Sequence, residues 1–465
     1  MKTFLSIHQD EILGTLSCFD RIIIRGHLTG LFPKGAFGYF LSSQDVLLKD
    51  FGPYVEKATR QLKEHVKQMA ADAGRPYVYL ESATTKAQGQ SKEDLARAMA
   101  ARDDITEGLI VVFAVVEPCQ SFEVRKNHET GKLEAVRCWR KCLHFYFYFM
   151  DRDFGLMHVR LQSWFPFDMQ VYVNGHEWLA RQLDQKGIAY ERYDNCFTRI
   201  DDLKLAQQLC DKFVRRKWLR VLDAFARHVN PLLRTVQQAG FKGYYWSLTQ
   251  CEYSTDVLFR DRATLEQWLP ALYELTLTAF SAEDVLRFLG RKLHGNFQGE
   301  VRTDLKRRRE GRRAKHWVKR NNIKMYDKAS VLRIETTLNN PREFKVLRVI
   351  ETPQGRQRQW RPMNKGVANF WRYAQVSAQA NARYLEALAQ AQPKGKAIAE
   401  LDRLCQPRRV DGKTLCALPA LQCRGLPNVC GRPGRETRLE RFPQQRFAGP
   451  SVRHARRYTG RGAPS

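Results

Sequence analysis

At 465 residues the chain is long enough for roughly two to four domains, and 43% hydrophobic with 11% aromatic residues exclude a disordered polymer. It carries 78 Lys+Arg against 49 Asp+Glu, a formal charge of +29. Such self-repulsion is relieved by a polyanion, so nucleic acid is the expected partner.

The eleven Cys have no regular spacing, which excludes a disulfide framework and fits a reduced compartment. No run reaches the ~20 apolar residues of a membrane span, and Gln9, Asp10 and Glu11 interrupt the N-terminal segment. A soluble, cytoplasmic protein is expected.

The first 118 residues alternate in type. A β-branched run at residues 21–24 is followed by a helical pattern over 55–71 and a strand pattern at 77–80. Ser91 and Asp94 form a capping box before LARAMAA, and LIVVFAVV (109–116) reads as a strand buried on both faces. A small mixed α/β sheet is expected here. Residues 119–200 read as antiparallel β, with strands near 121–124, 133–150 and 156–173 and turns at 128–131 and 151–155. FYFYF packs on both faces. A helix follows at 176–186.

Residues 201–301 read as helical, with one helix over 202–229 and two more behind the pairs Thr264/Gln267 and Ser281/Asp284. Between them lies YYWSLTQCEYSTDVLF, from Tyr244. Residues 302–362 hold the basic run and an antiparallel meander of KMYDK, VLRIETTL, FKVLRVI and RQRQWR. A long helix is expected within 363–404, from about 367 to 391. Residues 405–465 hold twelve Arg to one Lys among many Pro and Gly, a disordered tail or an out-of-frame remnant. The fold class expected is α+β, and no internal repeat is visible.

Between Arg302 and Arg320 ten of nineteen positions are Lys or Arg, with Trp317 among them. Charge interleaved with aromatics suits phosphate contact and base stacking. The expected nucleic-acid contacts are Arg307, Arg308, Arg309, Arg312, Arg313, Lys315, Lys319 and Arg320, joined by Lys324, Lys328 and Arg333.

Glu252 and Asp256 are four apart, so they share a face whether their segment is strand or helix. Paired carboxylates in a phosphate-binding protein are what Mg²⁺ or Mn²⁺ requires. The alternative is a solvated acidic pair, or ion pairing with Arg260 and Arg262. In VLRIETTL, Arg333, Glu335 and Thr337 share one strand face. Glu is depleted in strands, so Glu335 is either a metal ligand or a cross-strand partner of Lys324, Lys328 or Lys345. Asp20, at the head of a strand, is a fourth carboxylate or a strand-end turn residue. Tyr326, between Lys324 and Lys328, is a candidate nucleophile whose pKa two ammonium groups would lower. The alternative is stacking on a base or packing in the sheet.

Lys324-Met325-Tyr326-Asp327-Lys328 with Leu332-Arg333-Ile334-Glu335 resembles the Tyr-x-Lys and Arg-Ile-Glu strand pair of plasmid and filamentous-phage rolling-circle replication initiators, over about a dozen residues. Many such proteins chelate metal with His-x-His, which no two of the eleven His here can form, so a metal site would be carboxylate-led. The chain also resembles transposase-like proteins of bacterial mobile elements, whose acidic triads come from scattered segments. That resemblance implies Glu252, Glu335 and either Asp20 or Asp256 in the triad.

Asn174 is read as a helix N-cap with His176 and Glu177 in the first turn. Cys138 and Cys142 lack a second pair at zinc spacing, and Cys405, Cys416, Cys423 and Cys430 fit no common finger. No Gly-x-x-x-x-Gly-Lys-Ser/Thr loop is present. The sequence therefore leads to a mobile-element protein that binds nucleic acid, DNA in preference to RNA. It would cut or join phosphodiesters at Glu252, Asp256, Glu335 and Tyr326 around Mg²⁺ or Mn²⁺. The competing expectation is a non-catalytic DNA- or RNA-binding protein whose carboxylates are structural ion pairs.

Overall fold

The structure is a computed structural model. It describes residues 3–81, 91–292, 297, 299–308, 311–353 and 355–391, with the backbone of three short strands between 408 and 430. In chain order the elements of the first half are α1 (Phe4–Ile7), β1 (Ile12–His27), α2 (Ala36–Ser42), α3 (Phe51–Asp72), β2 (Tyr77–Leu80), α4 (Lys92–Arg102), β3 (Gly108–Lys126), β4 (Leu133–Asp151), β5 (Gly155–Gln162), β6 (Met169–Asn174) and α5 (Gly175–Gln185). A short hairpin, β7 (Tyr190–Arg192) and β8 (Phe197–Ile200), leads to α6 (Leu203–Val214), α7 (Trp218–Val229) and α8 (Leu233–Gln238). The second half comprises β9 (Tyr245–Phe259), α9 (Arg262–Glu274), α10 (Ala282–Phe288), β10 (Val301–Arg308), β11 (Gly311–Val318), β12 (Asn321–Lys328), β13 (Val331–Thr337), β14 (Lys345–Thr352), β15 (Gly355–Pro362) and α11 (Phe370–Leu388).

The class is α+β, as expected, but eleven strands from all of residues 12–337 join one sheet in the order β10-β11-β12-β13-β9-β1-β6-β5-β4-β3-β2. Among the described residues only β2 and β3 pair in parallel. The expected small N-terminal sheet and the β-rich middle are therefore parts of one layer. The basic run is also inside it, as the hairpin β10–β11 in full antiparallel register. Of the expected meander, KMYDK and VLRIETTL are sheet strands, whereas FKVLRVI and RQRQWR form a separate hairpin, β14–β15. The expected helix over 202–229 is two helices, broken at 215–217. The cap of α9 is Asp261, which accepts from Thr264 N (2.8 Å), rather than a Thr264/Gln267 box. The boxes at Ser91/Asp94 and Ser281/Asp284 form as expected.

The topology repeats. β1 is followed by helices and then by the meander β3-β4-β5-β6, whose last strand returns beside β1. β9 is followed by α9 and α10 and then by β10-β11-β12-β13, whose last strand returns beside β9. The first half adds β2 and α4 at its outer edge. The two halves meet through the long antiparallel pair β1–β9.

Alternation of side chains assigns the two sheet faces. Ile323, Met325, Leu332 and Ile334 pack against Leu269 and Leu272 of α9, Val285 and Leu286 of α10, and Tyr384 of α11. In the first half Phe145 and Phe147 join the large core formed with α3, α6 and α7, while Tyr146 and Tyr148 face Ala96 and Ala100 of α4. FYFYF is thus packed on both faces, as its composition requires. The opposite face of β9–β13 is polar and carries the site. Among the described residues no helix is long and apolar enough to cross a membrane.

Two buried histidines, His144 and His316, and the half-buried His158, whose ring nitrogens are both enclosed, are held without charge. Burial pushes His144 and His316 down to about 4, and His158 down to about 3, with Arg160 adding repulsion at His144 and His158. Their folded values lie below the ordinary 6.5, so their stabilisation is complete above pH 6.5 and is lost as pH falls towards the folded values. Stability measured by urea unfolding should therefore fall by several kcal/mol between about pH 6.5 and 4, at ~1.4 kcal/mol per pKa unit per group. The His158→Phe variant should show a shallower fall.

Candidate active site

A bulge builds the centre of the site. In the β1–β9 pair Phe19 opposes Tyr253 and Ile22 opposes Cys251, so Asp20 and Arg21 together face Glu252. Phe19 and Ile22 both point into the core, which leaves Asp20 and Arg21 side by side on the polar face. β13 then places Glu335 opposite Ser254, Arg333 opposite Asp256 and Thr337 opposite Glu252. β12 adds Lys324 opposite Glu335 and Tyr326 opposite Arg333.

Carboxylate oxygens of Asp20, Glu252 and Glu335 lie within 4.8 Å of one another. They line a cleft of about 600 Å³ with Lys324, Tyr326 and Arg313 on its floor. Glu93 and Arg97 of α4, and Tyr193 to Asn195 between β7 and β8, form a wall. Burial, with the charge of Glu335, raises Glu252 to about 7 despite Lys324. The Lys324 ammonium donates to Glu252 Oε1 (3.3 Å) and, at short range, to Glu335 Oε1. Burial would lower Lys324, but the two carboxylates hold it above its ordinary value. Tyr326 Oη donates to Glu335 Oε2 at 2.5 Å.

Beneath this cluster lies Arg333, which is 0% exposed. Its Nε and Nη2 donate to the two oxygens of Asp256, each at 2.6 Å, and its Nη1 donates to Asp20 Oδ2 at 3.1 Å. Nη2 also reaches Asn195 O (2.8 Å) and His176 Nε2 (3.3 Å). Asp20 Oδ1 accepts from Asn174 and Asn195 (3.0 and 2.5 Å). Burial would raise both aspartates; Arg333 outweighs it, holding Asp256 at about 2 and Asp20 below its ordinary value. Gly175 admits α5 to this assembly, since a Cβ there would lie 2.1 Å from Phe19 O.

The structure thus brings together Glu252, Glu335, Asp20 and Tyr326 and sets Asp256 apart. Asp256 shares the sheet face with Glu252 as its spacing requires, but both its oxygens are occupied by Arg333, so it is a counter-ion and not a free ligand. Tyr326 is also reversed from expectation: burial and the adjacent Glu335 raise its pKa well above normal, because Lys324 turns to the carboxylates. Lys328 is engaged by Asp194 (2.6 Å), and Arg333 by Asp20 and Asp256, so neither is poised for phosphate.

Arg313 lines the cleft. Lys315, next to it on the same strand face, has its pKa lowered to about 8 by burial and the charges of Lys324 and Arg313, and lies 3.4 Å over the Trp317 ring. Arg307 and Arg312 sit opposite each other near the tip of β10–β11, and Lys319 and Arg320 form the β11–β12 turn. Arg308 is described only as strand backbone, and Arg309 lies outside the described residues, as do Cys405, Cys416 and Cys423. Sequence reasoning missed Arg21, Asn195 and the burial of His176. Asn174 was legible only as the cap it also is, accepting from His176 N and Glu177 N.

Compared with protein-family models, with curated proteins and with solved structures, the chain matches none.

Among the described residues Arg333 is the only Arg or Lys paired with both Asp20 and Asp256, and His176 lies 3.9 and 3.6 Å from the same two carboxylates. Replacing it by Met leaves two buried carboxylates without their principal counter-charge, which costs about 3–5 kcal/mol. Urea unfolding at neutral pH should show that loss; a change below about 1 kcal/mol would contradict the buried network.

Proposed function

We propose that the chain is a mobile-element enzyme that breaks or joins phosphodiester bonds of nucleic acid, DNA in preference to RNA, with a divalent metal. The observation that carries this reading is the convergence of Asp20, Glu252 and Glu335 from three strands beside Tyr326, in a cleft lined by as many basic as acidic side chains. The donor set is all oxygen and carboxylate, which suits Mg²⁺ or Mn²⁺ better than a softer ion. The cluster already stabilises one cation, the Lys324 ammonium. Asp20, Glu252 and Glu335 would hold the metal, whose bound charge would polarise a phosphoryl oxygen.

The protein's own groups supply the remainder. Tyr326 is hydrogen-bonded to a carboxylate, the arrangement of a nucleophile beside its base. Its oxygen would attack phosphorus as the phenolic proton passes to Glu335 Oε2. The bond to the leaving nucleoside oxygen would break, leaving the phosphate on Tyr326. With the carboxylates engaged elsewhere, the Lys324 ammonium would be released towards a phosphate oxygen. Arg333 would keep Asp20 ionised and oriented.

A second reading rests on the same lysine. Lys324 neutralises Glu252 and Glu335 as the structure stands, which is what a non-catalytic DNA- or RNA-binding protein with structural ion pairs would show.

Cleavage of labelled single- and double-stranded DNA and RNA, with Mg²⁺ or Mn²⁺, separates the two. The enzyme reading expects metal-dependent cutting that falls ~10²-fold or more in Glu335→Gln. It also expects a denaturation-resistant protein–nucleic acid adduct that Tyr326→Phe abolishes. Salt-sensitive binding without cutting, equal in wild type and Glu335→Gln, would leave the non-catalytic reading.

A further inference from the structure

The polar face continues past the carboxylates onto the first half of the sheet. Arg21, Ile23, Arg25 and His27 of β1 all point to it, because Ile22 and Ile24 are committed to the core. In register with Arg25 lie Gln170 of β6 and then Arg160 of β5. Arg25 is four residues beyond Arg21, about 13 Å along the strand at ~3.3 Å per residue.

Two turns bring further cations beside it. β13 accompanies β9 only as far as Glu252. Beyond that point residues 364–366 take its place: Leu248 N donates to Lys365 O (2.7 Å) and Ser247, the partner of Arg25, bridges to Gly366. Asn321 ties the β11–β12 turn to the chain after β13, accepting from Asn339 N (3.0 Å) and Asn340 N (2.9 Å), while Asn339 Nδ2 donates to Arg320 O (3.0 Å). Arg320 is thereby held beside the segment that leads to Arg342, and Phe344 O, accepting from Met363 N (2.8 Å), brings the 341–344 turn with Arg342 near Lys365. Burial and the charges of Arg320, Arg25 and Arg342 push Lys365 below its ordinary value, and burial with Arg160 does the same to Arg25. None of Arg25, Arg320, Arg342 and Lys365 is in a salt bridge among the described residues. Asp168, the carboxylate acting on Arg25, is itself paired with His27 at 3.0 Å. Tyr245 stands 45% exposed beside Gly366, a ring free for stacking.

We propose that Arg25, Arg320, Arg342 and Lys365 form a second phosphate-binding patch that holds a single nucleic-acid strand a few nucleotides from the carboxylate cleft, with Tyr245 stacking on a base. Clustered cations without carboxylate partners are stabilised by phosphates, and an exposed aromatic among them is the arrangement of a single-strand platform. The inference rests on the nucleic-acid reading of the cleft and adds the path of the strand: along β1 and β9, away from α5.

The test is the salt dependence of oligothymidylate binding, read by fluorescence anisotropy on the full chain. Arg320, Arg342 and Lys365 are exposed, so the triple alanine variant R320A/R342A/K365A should fold, as a thermal melt will verify. Losing three phosphate contacts should reduce the slope of log K against log salt by about 2, at ~0.7 per contact for a single strand. The charge-preserving R320K/R342K/K365R should keep the wild-type slope. R215A/K217A/R220A, which removes three exposed cations on the opposite sheet face, should keep it too. An unchanged slope in the patch variant, or an equal fall in the opposite-face control, overturns the patch. Wild-type protein that binds no oligonucleotide at all sinks the nucleic-acid reading itself, and the patch with it.

Discussion

The Arg333 guanidinium is the interaction on which the site depends. It is enclosed completely and reaches β9 through Asp256, β1 through Asp20 and the β7–β8 turn through Asn195 O. A buried charge of this kind is tolerated only when its donors are satisfied, and here the partners come from both halves of the sheet. The consequence for chemistry is electrostatic. Arg333 holds Asp20 and Asp256 ionised from below, while Glu252, farther from it and beside Glu335, is raised to about 7. Unlike environments for neighbouring carboxylates are a recurrent mark of functional sites.

The repeated topology explains where the cleft lies. Two strand–helix–meander halves are joined antiparallel at β1–β9, and the Asp20–Arg21 bulge interrupts that junction near its middle. One carboxylate comes from the first half, and two come from the second. The helices α9, α10 and α11 cover the opposite face, so the polar row Lys315, Lys324, Glu335, Ser254 remains on the side of the cleft. Fold and site are the same object viewed from its two faces.

Much of this was legible in the residues. Period-two alternation in VLRIETTL placed Arg333, Glu335 and Thr337 on one face of their strand, and spacing alone put Glu252 and Asp256 on one face of theirs, which the β9–β13 pairing makes the same sheet face. Capping boxes at Ser91 and Ser281 located two helix starts. What sequence could not give was long-range pairing. Whether Asp20 or Asp256 completes the cluster depends on a bulge and on which carboxylate Arg333 grips from both oxygens, and neither leaves a local pattern. The run around Arg307 read as a basic nucleic-acid contact ahead of the meander and not as strands, yet Ala314, His316 and Val318 alternate inward and seat it in the sheet. The duplication was invisible because it lies in connectivity, with different residues at corresponding strands.

The most direct test of the central claim is an anomalous difference map from crystals of the full chain grown with Mn²⁺ and an oligonucleotide. The account predicts one peak bounded by carboxylate oxygens of Asp20, Glu252 and Glu335, with Lys324 turned away from them. A cluster still closed by Lys324, with no peak among the three carboxylates at saturating Mn²⁺, would contradict it and leave these residues as structural ion pairs.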